Sequence, residues 1–77
     1  MNKIILREYK YTRQLHNYEW GETFIDPDGN TLSSERLCYI DALMREGFED
    51  IPWDLMDVFS LEAVCLEAGI YVILEDE

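Results

Sequence analysis

No lysine or arginine follows Arg45, although ten acids do: Glu46, Glu49, Asp50, Asp54, Asp57, Glu62, Glu67, Glu75, Asp76 and Glu77. The sequence is also poor in histidine, with one, and in cysteine and proline, with two each. Its longest apolar run, Ile70 to Leu74, is far shorter than a membrane span, which takes about 20 residues. Near the start only Ile4, Ile5 and Leu6 are consecutive apolar residues, too few for the core of a signal peptide. The expected location is therefore the cytoplasm. Cys38 and Cys65 show no C-x-x-C spacing and no companion histidines, so zinc is not indicated, and buried free thiols are expected.

What is present is apolar content and negative charge. Hydrophobic residues make up 48% of the 77 positions and include five Tyr, three Phe and two Trp, more than a disordered chain carries. One small domain, a monomer or small homo-oligomer, is expected. The net charge of −11 is unevenly spread. Residues 1–13 hold Lys3, Arg7, Lys10 and Arg13 against Glu8, whereas residues 14–77 hold only Arg36 and Arg45 against sixteen acids. Such a surface repels phosphate and anionic lipid and is drawn to cationic surfaces, which argues against nucleic acid or membrane as a direct partner.

Periodicity predicts an α+β fold of order ββαααβ: an antiparallel sheet of about three strands, an N-terminal hairpin plus a C-terminal strand, packed on two or three helices. Ile4, Ile5, Tyr9, Tyr11 and Thr12 favour a strand over residues 3–12, and Tyr18, Trp20 and Phe24 alternate with polar residues in a second strand. Residues 13–17 would connect them. Asp26-Pro27-Asp28-Gly29 is the strongest turn, with Pro presetting φ and Gly tolerating positive φ. A first helix is expected at about residues 34–46, capped by Ser33 or Ser34 and stopped by Gly47. Pro52 fits the first turn of a short helix at about 52–59. Leu61, Val64, Cys65 and Ala68 mark another helix, which Ser60 either caps or lies within as part of one longer helix. Ile70 to Leu74, apolar on both faces, reads as an interior or doubly covered strand.

No arrangement of these residues names a reaction. His16 sits beside the hairpin connection without a serine or cysteine nucleophile signature, so no catalytic residue, cofactor or metal is nominated. Asp26 to Asn30 superficially suggests a calcium loop, but Thr31 and Leu37 stand where an EF-hand places glycine and glutamate. Phe24 to Asn30 also resembles a strand-joining segment of vicinal oxygen chelate proteins. With a helix expected next and no His and Glu ligand set around it, the segment is read as a turn.

The acids remain. On a helix starting near Ile51, Asp54 and Asp57 would share one side, with Glu49 and Asp50 leading in and Glu46 close by. Like charges so placed destabilise a helix by tenths of a kcal/mol each, with no lysine to relieve them. Trp53, beside Pro52 and Asp54, is either core or a surface anchor among acids. Tyr9, Tyr11, Tyr18 and Trp20 offer a second, aromatic surface on the hairpin. In size, acidity and α+β character the chain resembles small phage-type inhibitors of bacterial defence, the anti-CRISPR and anti-restriction proteins, several of which imitate DNA with ordered carboxylates. The resemblance is one of size and charge. It implies a non-enzymatic inhibitor in which Glu46, Glu49, Asp50, Asp54, Asp57, Glu62 and Glu67 occupy the basic surface of a nucleic-acid-binding protein. The alternative is a small regulatory module that binds through the aromatic hairpin.

Overall fold

The computed structural model describes residues 7–16 and 21–77. Its elements are β1 (Arg7–Leu15), β2 (Glu22–Ile25), β3 (Thr31–Leu32), α1 (Glu35–Arg45), a 3-10 turn (Trp53–Leu55), α2 (Val58–Glu67) and β4 (Ile70–Asp76). The four strands form one sheet in the order β3-β2-β1-β4. The helices pack on one of its faces.

The α+β class stands, but the sheet is mixed. Pairing of β1 with β2 and of β2 with β3 is antiparallel, whereas β4 runs parallel to β1, from Arg7 opposite Ile70 to Arg13 opposite Asp76. The direction of a last strand depends on how often the chain crosses the sheet beforehand, which local periodicity does not record. A crossover through helices is what a parallel pair requires. Nor is β4 interior among the described residues: Val72 and Leu74 face the core, but Tyr71 is 47% exposed.

The strand β1 extends past the expected boundary, so residues 13–15 pair with β2 rather than forming the connection. The His16 N–H then donates to Gly21 O at 2.7 Å. Residues 3–6 of the expected first strand, and Tyr18 and Trp20 of the second, lie outside the described residues.

The Asp26 turn forms as its residues dictate. Asp26 Oδ1 accepts from the N–H groups of Asp28 and Asn30 at 2.9 and 2.8 Å, and Gly29 adopts a φ of 91°. A helix was expected to follow directly; instead the turn closes a hairpin onto the two-residue β3, pairing Phe24 with Leu32. Ser34 then caps α1, its Oγ accepting from Leu37 N. Gly47, at a φ of 93°, ends the helix as anticipated, with Gly47 N donating to Met44 O and Phe48 N to Leu43 O.

The expected helix over 52–59 is a correction. Only Trp53–Leu55 turns, Met56 and Asp57 are extended, and α2 starts at Val58 with Asp57 as its cap. Ser60 lies inside the helix and donates its N–H to Asp57 Oδ1 at 2.8 Å. A carboxylate at the cap also complements the helix dipole, so Asp57 outcompetes Ser60 for the position.

The core joins Tyr11, Phe24 and Ile70 of the sheet to Cys38, Tyr39, Ala42 and Leu43 of α1 and Leu61 and Cys65 of α2. Both cysteines are free and buried. The Tyr11 hydroxyl donates to Asp41 Oδ2 at 2.8 Å, and Arg45 spans Asp41, Asp28 and Asp26 at 2.7, 2.9 and 3.3 Å. One guanidinium thus ties α1 to the turn after β2, and Asp41 ties it to the sheet.

Candidate functional site

The charges fall into two groups. Every basic side chain among the described residues is engaged: Arg7 with Glu46, Lys10 with Glu75, Arg13 with Asp76 and Glu22, Arg45 with its three aspartates, and Arg36 with the Met56 carbonyl. The acids they pair with lie mainly on the sheet, the turn and α1. By contrast, the side chains of Glu49, Asp50, Asp54 and Glu67 are exposed and make no hydrogen bond or ion pair among the described residues. Glu8, Glu35 and Glu77 are also unpaired among the described residues: beside Arg7, on the first turn of α1, and after Asp76.

Of the seven acids of the expected surface, Glu49, Asp50, Asp54 and Glu67 are thus exposed and unengaged among the described residues, and the other three are engaged elsewhere. Glu46 is withdrawn from it, its side chain 12% exposed and taking hydrogen bonds from Tyr9 Oη and, at 2.9 Å, from Arg7 Nη1. The Tyr9 hydroxyl, against partial burial and with help from Arg7, holds the Glu46 carboxyl below its ordinary range. Asp57 is committed to capping α2, and the Ser60 N–H lowers its pKa likewise. Asp54 and Asp57 do not share a helix face, because no helix links them. Glu62 is exposed on α2 and accepts weakly from Tyr39 Oη at 3.4 Å.

The aromatic candidates separate too. Tyr11 is fully buried and cannot meet a partner, and Tyr9 packs partly against the core with its hydroxyl held by Glu46. Trp53 is half-buried against the core, which resolves its placement toward packing. Trp20 lies outside the described residues.

Neither thiol is poised for chemistry. Burial pushes the Cys38 thiol up to about 12 and the Cys65 thiol up to about 11, so both are protonated near neutrality. A concavity of about 420 Å³ is lined by Arg13, Gln14, Leu15, His16, Asp76 and Glu77. Within it Arg13 is held by Asp76 at 2.6 Å, and His16 Nε2 lies 2.8 Å from Thr23 Oγ1. Among the described residues lining this concavity there is no cysteine or serine. Among the described residues no group of three or more His, Cys, Asp or Glu side chains is placed to hold a metal ion, and no helix is long and apolar enough to cross a membrane.

A feature that sequence reasoning missed lies on α2. Its inward face carries Leu61 and Cys65, as the apolar spacing indicates. The outward face carries Phe59, Glu62, Ala63 and Leu66, of which Phe59 is 79% and Leu66 49% exposed. Between α2 and β4 a notch of about 50 Å³ opens, with Leu66, Tyr71 and Glu62 among its walls. The signal was present in the sequence: residues 58–67 offer only Ser60, Glu62 and Glu67 as polar positions, and a helix apolar nearly all round on a protein surface lacks a partner. Comparisons with protein families, with curated proteins and with solved structures find no match for this chain.

Proposed function

We propose that this chain is a non-enzymatic binding protein whose acidic segment, residues 49–67, occupies the basic nucleic-acid-binding surface of a partner by standing where phosphates would lie. The partner envisaged is a bacterial defence complex of the CRISPR or restriction type. The observation that carries this reading is the division among the carboxylates. Most acids of the sheet, turn and α1 meet the few cations available, Glu8 and Glu35 excepted, while Glu49, Asp50, Asp54 and Glu67 are exposed and unpaired among the described residues. Unrelieved negative charge disfavours the compact state through self-repulsion and is what a cationic partner would relieve. Association would be fast and salt-sensitive, and no turnover is required. The aromatic-hairpin alternative has lost Tyr11 to the core and much of Tyr9 to packing.

The test is capture from a bacterial lysate on the immobilised protein, with elution by a salt gradient. A DNA- or RNA-binding complex that leaves at moderate salt and is displaced by duplex DNA is the expected result. Partners that resist salt and ignore added DNA would overturn the reading.

A further inference from the structure

We propose that the outward face of α2 is a docking surface for a cationic, amphipathic protein segment, and that the notch beside Leu66 receives a lysine or arginine of that segment. This rests on the acidic-binder reading and names what anchors it. Phe59, Ala63 and Leu66 recur at i, i+4 and i+7, so they form a single stripe along the helix, and all three are exposed. Among the described residues Phe59 is left out of the core, and Leu61 and Cys65 supply the buried face of α2. An exposed Phe and Leu on one face mark an interaction surface rather than scattered apolar residues.

Charge decides what covers the stripe. Glu62 lies within it and Glu67 borders it, and α2 bears no basic residue. A second copy packed through this face would bring those carboxylates against their own counterparts, between chains each carrying −11. Nucleic acid and anionic lipid are repelled in the same way. A protein segment presenting apolar side chains among lysines or arginines satisfies both features.

The notch gives the contact its chemistry. Its walls include the apolar surfaces of Leu66, Ile70 and Val72 and the ring of Tyr71, with the Glu62 carboxylate also lining it. Among the described residues only Glu62 Oε2 is engaged, by a long hydrogen bond from Tyr39, which leaves Oε1 to accept. A lysine or arginine stem buries its methylenes against such walls while its charged head meets the carboxylate.

The test uses the full chain and a synthetic amphipathic helix of leucine and lysine, compared with a peptide of the same composition scrambled to abolish the apolar face. Binding is followed by fluorescence anisotropy and by amide shifts in ¹H–¹⁵N spectra. The ordered peptide should shift the amides of Phe59, Glu62, Ala63, Leu66 and Tyr71. The scrambled peptide and the Phe59→Ser/Leu66→Ser variant should each weaken binding by at least about tenfold, which the loss of even one of the two buried apolar side chains would give. Both substituted residues are exposed, and circular dichroism checks that the variant keeps its fold. Equal binding of the two peptides, or unchanged binding of the double variant, overturns this inference. If affinity in that case still falls in a Glu49→Gln/Asp50→Asn/Asp54→Asn variant, the acidic reading survives without it; if that variant also binds as before, both fail. Self-association of the protein that Phe59→Ser abolishes would instead assign the face to a second copy and overturn the proposal.

Discussion

At the scale of single residues, what decides a carboxylate's role is whether a donor reaches it. Asp26 is almost fully buried, which by itself disfavours its charge. The N–H groups of Asn30 and Asp28, together with Arg45, outweigh that burial and hold its carboxyl below the ordinary value. A depressed folded-state pKa stabilises the fold above the unfolded-state value, and the contribution is lost as pH falls through the folded-state value. Asp26→Asn should therefore be less stable than the parent near pH 7, and the gap should narrow as pH falls below about 4. Urea midpoints at neutral and acidic pH measure it; a gap that stays constant or widens in acid would contradict the account. The turn around Asp26 was legible because its geometry is local, set by Pro27, Gly29 and Asp26's own side chain. The burial of Asp26 was not, since its partner Arg45 lies on a different element. Glu46 escaped for the same reason: its partners Arg7 and Tyr9 lie 39 and 37 residues earlier, on β1, and the packing of the sheet on α1 joins them.

At the scale of elements, α1 was readable almost to the residue because Ser34 and Gly47 punctuate it. The start of α2 was not, because Pro52, Asp57 and Ser60 all carry start signals and tertiary contacts choose among them. Trp53 and Met56 pack on the core, and Arg36 Nε donates to the Met56 carbonyl at 2.7 Å, holding the preceding segment extended. Asp57 is then the residue in cap conformation, with φ −85° and ψ 177°. Substituting Asp57→Ala should lower Tm by several degrees, on the order of 4–8 °C for a domain of this size, whereas Ser60→Ala should have a clearly smaller effect. Asp57→Asn, which keeps a cap acceptor, should lie near the parent. Thermal unfolding of the three variants checks the order, and a larger loss from Ser60→Ala than from Asp57→Ala would return the cap to Ser60. The result also bears on binding: Asp57 should not be used to probe the acidic surface, since its loss reports on α2 as well as on charge.

At the scale of the whole molecule, the sequence disclosed how much negative charge there is and where along the chain it lies, but not which acids are already answered. Sheet register supplies that answer. Parallel pairing of β1 with β4 brings Arg13 beside Asp76 and Lys10 near Glu75, so two of the three acids at the end of β4 are matched by cations of β1. Among the described residues nothing comparable reaches Glu49, Asp50 or Asp54. The binding surface proposed here is thus a matter of position rather than of net charge, and position can be tested against charge directly. Two variants change the net charge equally: Glu49→Gln/Asp50→Asn/Asp54→Asn removes unpaired acids, and Glu22→Gln/Glu75→Gln/Asp76→Asn removes exposed paired ones that contribute little to stability. Retention of basic nucleic-acid-binding proteins on each immobilised variant, measured against rising salt, is the decisive comparison. The first variant should release them at clearly lower salt than the parent while the second behaves like the parent; equal losses from both variants would show that net charge rather than position governs binding, and no loss from the first would contradict the proposed surface.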